Sequence, residues 1–92
     1  MGKAREIIRY RKERGSWIIE VVIWHLSEAL PGSTHPYKYR LFFCQPDGSC
    51  IVRYDNERGK GDHKHVDENE EPYRFFSLRK LVEDFEADIE RM

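Results

Sequence analysis

The sequence predicts an α+β fold, in which an antiparallel sheet of about four strands is closed on one face by a C-terminal helix. β-branched and aromatic residues dominate segment 17–26, and such residues favour strands. Two further strand-like runs flank a turn at 45–49, and apolar residues recur at helical spacing from 78 to 89. A length of 92 residues fits a single domain that spans residues 1–92.

The first two strand candidates differ in strength. Residues 5–12 fit a strand or a helix, because they hold few apolar positions. The strand is favoured, since a turn at 13–16 separates them from a strong strand at hairpin distance. That second strand, Trp17–Leu26, is largely apolar on both faces. Both faces therefore need cover, and a homodimer interface would supply the second one.

A second hairpin follows a loop at 27–36, which is longer than the usual ~4–6 residues. Its strands are expected at Tyr37–Cys44 and Cys50–Tyr54, because Pro46 presets φ and Gly48 accepts positive φ in the turn between them. Cys44 and Cys50 can therefore face each other. A disulfide would suit a secreted protein, but no signal peptide is recognised, so two reduced, buried cysteines in a cytoplasmic protein are expected.

The last part of the chain divides into a polar segment and a helix. Asp55–Glu71 shows no periodic apolar face. Ser77 can cap a helix at 78–91, whose apolar stripe would pack on the sheet. The aromatic residues that would anchor the entry to this helix are Tyr73, Phe75 and Phe76.

The charge balance excludes a global attraction to nucleic acid or membranes, because the net charge is −1. Residues 1–66 hold 12 Lys/Arg and 8 Asp/Glu, whereas residues 67–92 hold 4 and 9. A basic body with an acidic end permits a local anionic ligand, although a well-solvated last helix is the favoured explanation of the acidic end itself. No stretch approaches the ~20 apolar residues of a membrane span.

The segment Tyr54–His65 is the candidate functional stretch, because it concentrates titratable side chains around two glycines. Its chemistry suits metal-independent RNA cleavage, which needs a base, an acid and cations at phosphorus. His63 and His65 would transfer protons and point the same way on a strand, with Lys64 opposite. Arg58 and Lys60 would stabilise the phosphate. The orienting groups would be Asp55, Asn56, Glu57 and Asp62.

Two other interpretations of this stretch stay open. A glycine-containing loop with solvated charges needs no function at all. A metal site would use Asp62, His63, His65 and Asp67, but the spacing fixes neither a third nor a fourth ligand. No metal and no other cofactor is therefore expected.

A second candidate stretch, His35–Arg40, combines tyrosines with cations. Tyr37 and Tyr39 would stack bases while the cations bind phosphates, but on a strand the two sets face opposite sides. Packing at the edge of the core is therefore favoured for the tyrosines. The residues expected to bind RNA are Lys38, Arg40, Arg53 and Lys64.

The chain resembles the TumE-type toxins of bacterial toxin–antitoxin systems. Three runs carry the resemblance, and the second is the most specific: Tyr37-Lys38-Tyr39-Arg40-Leu41, Tyr54-Asp55-Asn56-Glu57-Arg58-Gly59-Lys60-Gly61-Asp62-His63-Lys64-His65 and Glu71-Pro72-Tyr73-Arg74-Phe75. The resemblance implies a small prokaryotic toxin that a helix-turn-helix antitoxin binds and blocks. It implies no catalytic residue set, so the ribonuclease hypothesis depends on the residue chemistry. The alternative is a non-catalytic module that binds RNA or protein.

Overall fold

A computed structural model describes residues 3–92 and contains six strands and one helix. In chain order these are β1 (Ala4–Arg14), β2 (Trp17–Leu26), β3 (Tyr37–Cys44), β4 (Cys50–Glu57), β5 (Gly61–Val66), β6 (Asn69–Pro72) and α1 (Leu78–Glu90). The strands form one antiparallel sheet in the order β1-β2-β3-β4-β5-β6. Each strand therefore pairs with its neighbours in sequence, and the α+β class is as predicted.

The expected number of about four strands is wrong, because the polar segment after Tyr54 supplies two more. β5 and β6 carry few apolar side chains, so they lack the alternating pattern that marks a half-buried strand. Their turns do carry a signal: Gly59 and Gly61 have φ values of 76° and 81°, and Asp67 has φ 57°. Such values are rare outside glycine, asparagine and aspartate. Residues 5–12, in contrast, form a strand, as favoured from the sequence.

The core lies between α1 and one face of the sheet. Leu81, Phe85 and Ile89 recur every four residues along α1 and are buried, so they form one stripe of the helix. The sheet meets them with Val21, Ile23, Tyr39, Leu41, Phe43, Val52 and Tyr54. Ser77 caps α1 by accepting a hydrogen bond from the Lys80 backbone N–H at 3.1 Å, as predicted. Within residues 3–92, no helix has the length and apolar content needed to span a bilayer.

The opposite side of the sheet, called here the open face, is not covered by the helix. Because side chains alternate along strands, it carries Arg40 and Phe42 of β3, Arg53 and Asp55 of β4, and His63 and His65 of β5. β2 is largely apolar on this face as well, with Glu20 as its charged residue, yet Val22 is fully buried within the single chain. Neighbouring side chains therefore already provide part of the cover that a dimer was expected to supply.

The two cysteines are joined, which corrects the expectation of a reduced pair. Cys44 and Cys50 are register partners at the end of the β3–β4 hairpin and form a disulfide. Cys44 is buried but Cys50 is exposed, so only one behaves as a core residue. The facing positions were predictable from the turn, whereas the bonding state was not.

Candidate functional site

The sheet register brings the predicted site residues into two rows across the open face. Arg40, Asp55 and His63 are successive register partners on β3, β4 and β5. Phe42, Arg53 and His65 form the adjacent row. Because directly opposed side chains in an antiparallel sheet have Cβ atoms about 4.5–5.5 Å apart, each row forms a continuous surface.

His63 is held in place at both ring nitrogens. Its Nε2 lies 2.5 Å from Asp55 Oδ1, and its Nδ1 lies 3.2 Å from the Gly61 carbonyl oxygen. Asp55 Oδ1 is buried and makes no aligned hydrogen bond to residues 3–92, so the imidazole of His63 is its close polar neighbour. Only 6% of the His63 side chain is exposed. A substrate can reach this imidazole only if one of these contacts opens.

His65 is more accessible, with 32% of its side chain exposed. Its Nε2 lies 2.8 Å from Glu70 Oε2, and Lys60 Nζ lies 3.5 Å from the other oxygen of Glu70. Burial raises the pKa of Glu70, but Lys60 and His65 outweigh it and hold that pKa below its ordinary value. The ionised carboxylate therefore orients His65, whose Nδ1 has no hydrogen-bond partner among residues 3–92.

The cations around the histidines differ in how far they are already engaged. Arg40 and Arg53 are exposed and form no ion pair within the described part of the chain, residues 3–92. Lys38 instead donates to the backbone oxygen of Asn56. Arg58 lies exposed in the turn between β4 and β5. Arg40 and Arg53 are therefore the guanidinium groups best placed to receive an anion near His63 and His65.

A groove of about 600 Å³ crosses the open face beside these arginines. It is named here the Phe42 groove, and its walls are Ile18, Glu20, Arg40, Phe42, Cys44, Gln45, Pro46, Gly48, Cys50, Arg53 and Asp55. A smaller cavity of about 220 Å³ adjoins Lys60, His63 and Glu70. The histidines thus lie beside concave surface, which an enzymatic site requires.

Two of the predicted site residues point to the helix side of the sheet instead. Asp62 Oδ2 accepts a hydrogen bond from Tyr39 Oη at 2.7 Å and lies 2.8 Å from His35 Nε2. Burial, followed by the bond to Asp62, raises the pKa of Tyr39 above its ordinary value. The His35 ring also stacks on Phe75, with ring centres 3.9 Å apart. Asp62 therefore belongs to a structural network between the long loop, β3 and β5.

Lys64 lies on the same side as Asp62, opposite His63 and His65, as its position on a strand predicted. Its Nζ lies 3.2 Å from Asp88 Oδ2 of α1 and 3.5 Å from Tyr54 Oη. The Asp88 side chain is only 4% exposed. Lys64 therefore compensates a buried carboxylate, and its ammonium is turned away from the open face.

Sequence reasoning missed Glu70 and Asp88, both of which hold predicted site residues. Glu70 faces His65 because the β5–β6 hairpin pairs them directly. Recognising the turn at Asp67 and Glu68 would have placed this carboxylate beside the imidazole. Asp88 left no comparable local signal, since its partner Lys64 is distant in sequence.

The residues that can hold a metal differ from the set expected from spacing. Asp55, Glu57 and His63 place their donor atoms within 4.8 Å of one another. Carboxylates with one imidazole suit a cation such as Mn²⁺ or Zn²⁺. The earlier set is not brought together, because Asp62 lies on the helix side of the sheet and bonds Tyr39.

The arrangement is chemically suited to proton transfer next to a bound anion. An imidazole with one oriented and one free nitrogen can accept or donate a proton. Unpaired guanidinium groups can bind phosphate oxygens through two parallel hydrogen bonds. His65, Arg40 and Arg53 share the open face, so both functions occur on one surface.

Comparison with known proteins identifies one family. A family model described as toxin TumE matches residues 1–92, which is the whole chain. No curated protein and no solved structure matches the chain. The family match therefore covers the sheet, the helix and all the residues of the open face.

Proposed function

The chain belongs to the TumE toxin family, and from this premise we propose that it acts in the prokaryotic cytoplasm as a metal-independent ribonuclease. The observation that carries this proposal is the His65–Glu70 pair, 2.8 Å long, on the same sheet face as the unpaired Arg40 and Arg53. RNA is the substrate because its 2′-hydroxyl supplies the nucleophile, so no metal-bound water is needed.

The proposed reaction divides proton transfer between the two histidines. His65 takes the proton of the 2′-hydroxyl through its free Nδ1, and the 2′-oxygen attacks the adjacent phosphorus. The bond from phosphorus to the 5′-oxygen breaks, and protonated His63 donates a proton to that leaving oxygen. The products are a 2′,3′-cyclic phosphate and a 5′-hydroxyl end.

Several cations would stabilise the charge that develops at phosphorus. Arg53 is the register partner of His65, and Arg40 lies in the row of His63. Lys60 reaches the same strand pair through Glu70, while Arg58 stands in the adjoining turn. The ring centres of His63 and His65 are 5.9 Å apart, so one phosphodiester can contact both. Donation by His63 requires its contact with Asp55 to open when RNA binds.

One observation favours a second function, a non-catalytic module that binds RNA or protein. Both ring nitrogens of His63 are engaged, and its side chain is 6% exposed. In this alternative, His63 and Asp55 are scaffold that keeps β4 and β5 in register. The toxin would then act by occupying its target, and no RNA fragments would form.

Membership of a toxin family implies an antitoxin partner, and we propose that this partner is a helix-turn-helix protein. We also propose a homodimer, whose contact would be the edge strand β1. This strand has 11 residues, most of them exposed, and an unpaired edge can add a strand from a second copy. Light scattering that shows only monomer at high concentration would contradict the homodimer.

The test of catalysis is induction of the toxin without its antitoxin, in parallel for wild type, His63→Ala and His65→Ala. Arg79→Ala is the matched control, because Arg79 is 90% exposed on α1. We expect both histidine variants to lose growth arrest and RNA decay, while the control retains them. Purified wild type should leave 2′,3′-cyclic phosphate ends on RNA. Unchanged RNA decay in both histidine variants would reject the catalytic assignment.

A further inference from the structure

We propose that the Phe42 groove binds one base of single-stranded RNA against the Phe42 ring, with the flanking phosphates on Arg40 and Arg53. The groove volume of about 600 Å³ lies in the usual range for ligand pockets, about 300–1,000 Å³. The inference deepens the proposed function, because it assumes an RNA substrate and names the part of the protein that holds it next to the histidines.

The floor of the groove is apolar, and Phe42 is its aromatic residue. Phe42 is half-buried, and Ile18 and Pro46 line the groove with it. An aromatic ring held in this way offers a face to which any base can stack. Because the ring is packed on its sheet neighbours, little side-chain freedom is lost when a base binds.

The charges around this floor favour an anion. Of the two carboxylates in the groove, Glu20 Oε1 lies 3.7 Å from Arg9 Nη1 and Asp55 Oδ1 lies 2.5 Å from His63 Nε2. Glu20 therefore has a cation nearby, which Glu6 Oε1 also contacts at 2.7 Å, and the Asp55 carboxylate is engaged by the His63 imidazole. Arg40 and Arg53 are exposed and without ion pairs among residues 3–92. The exposed charges of the groove that have no ion pair among residues 3–92 are therefore positive, and they lie on groups that bind phosphate bidentately.

The groove is continuous with the proposed catalytic groups. Arg53 stands on β4 as the register partner of both Phe42 and His65. Neighbouring strands are about 4.8 Å apart, so two strand spacings separate the stacking ring from the imidazole. A nucleotide stacked on Phe42 would direct its phosphate over Arg53 toward His65.

An antitoxin segment is the competing occupant of the same groove. A protein interface would be expected to match exposed charges with charges of its own, and here the uncompensated charges are two guanidinium groups beside an aromatic ring. A nucleotide combines a stacking surface with an anion and matches both. A nucleotide is therefore the proposed occupant, and the experiment below distinguishes it from an antitoxin segment.

The test measures binding of fluorescein-labelled, 2′-O-methylated oligoribonucleotides to the full chain by fluorescence anisotropy. These probes lack a free 2′-hydroxyl, so wild type binds them without cleavage. Phe42→Leu keeps an apolar side chain but removes the ring, and Phe42→Tyr keeps the ring. Phe76→Leu is the matched control, because Phe76 is 83% exposed, does not anchor the entry to α1 as was expected, and lies outside the groove. Thermal unfolding verifies that each variant is folded.

We expect Phe42→Leu to weaken binding about tenfold, the effect of losing one base–aromatic stack. Phe42→Tyr and Phe76→Leu should bind within about twofold of wild type. Arg40→Gln and Arg53→Gln should each weaken binding and reduce the slope of log affinity against log salt by about 0.7. Arg79→Gln serves as their control and should change neither quantity.

The outcomes separate this inference from the proposed function. Equal affinity of Phe42→Leu and Phe76→Leu, or no binding by wild type, overturns the inference even if RNA is still cleaved. The predicted binding pattern without any RNA cleavage sustains the inference and rejects the ribonuclease. Loss of antitoxin binding in Phe42→Leu with unchanged RNA affinity assigns the groove to the antitoxin and also overturns the inference.

Discussion

His65 Nε2 and Glu70 Oε2 face each other at 2.8 Å across the β5–β6 hairpin. This pairing fixes one nitrogen of the imidazole and leaves the other without a partner among residues 3–92. His63, two residues earlier, is engaged at both nitrogens. The two histidines of the same strand are therefore not equivalent, and the carboxylate of β6 determines how His65 is presented.

Glu70→Gln should lower the kcat of RNA cleavage about tenfold while changing KM little. Glu70 is a positioning residue here, so its loss should remove only part of the ~10²–10⁴-fold rate enhancement that general acid–base catalysis contributes. The pKa of Glu70 is held below its ordinary value by Lys60 and His65 against the effect of burial. The Glu70–His65 pair is therefore present at pH values above the ordinary pKa of Glu70. It is lost as the pH falls through the lowered pKa of this carboxyl group.

The measurement is steady-state cleavage of a labelled RNA across a pH series. Glu68→Gln is the control, since Glu68 is an exposed carboxylate of the same hairpin. The difference between wild type and Glu70→Gln should vanish at the acidic end of the series. Equal rates for the two variants at neutral pH would contradict the positioning role.

Chelation should leave RNA cleavage unchanged, because the proposed reaction uses only side chains of the protein. Asp55, Glu57 and His63 are the donor set that makes this prediction worth testing. The assay compares the cleavage rate before and after EDTA treatment, with wild-type protein purified without a polyhistidine tag. If EDTA removes the activity, Mn²⁺ or Zn²⁺ restores it and Glu57→Gln also abolishes it, these residues would instead form a catalytic metal site.

Lys64→Ala should lower the free energy of unfolding by about 1–3 kcal/mol, the cost of removing a partner from a buried polar group. The Asp88 carboxylate is 4% exposed and lies 3.2 Å from Lys64 Nζ. Chemical denaturation measures the change. Arg79→Ala provides the comparison and should change stability by less than about 0.5 kcal/mol, because its ion pair with Glu83 is exposed. Loss of RNA affinity with unchanged stability would return Lys64 to the RNA-binding set.

Asp84→Asn should destabilise the protein at neutral pH but not in acid. Burial raises the pKa of Asp84, but hydrogen bonds from Lys80 and Tyr73 outweigh it and lower that pKa below the ordinary 3.8. The charged form is therefore favoured by folding, so its contribution is present above pH 3.8 and lost as the pH falls through the lowered pKa. Denaturant unfolding of both proteins across this range measures it. A stability difference that is constant with pH would show that the ionised Asp84 carboxylate is not its cause.

The sequence predicted the apolar part of the fold well. Burial of Leu81, Phe85 and Ile89 follows from helical spacing, and the two-sided character of Trp17–Leu26 matches the buried Val21 and Val22. β5 and β6 could not be predicted in this way, because the sheet edge is built from charged side chains that are stable in water. The residue types at Gly59, Gly61 and Asp67, where the backbone has positive φ, are the feature of the sequence that indicates the turns before and after β5.

The candidate site was predicted in part. The common direction of His63 and His65, with Lys64 opposite, follows from strand alternation alone. The partner of Lys64 could not be predicted from strand alternation, because packing of α1 on the sheet brings Asp88 to it. The proximity of Arg40 and Arg53 to the histidines likewise depends on the register of three strands, which a polar segment does not reveal.

The meander topology has a consequence for when the toxin becomes harmful during its synthesis. Because every strand pairs with a chain neighbour, loop closure is short at each step, and local connectivity of this kind favours rapid folding. The sheet can begin to assemble while translation continues, but Leu81, Phe85 and Ile89 seal the core only after α1 has left the ribosome. An antitoxin that acts by binding the finished fold must therefore already be present when α1 completes the core.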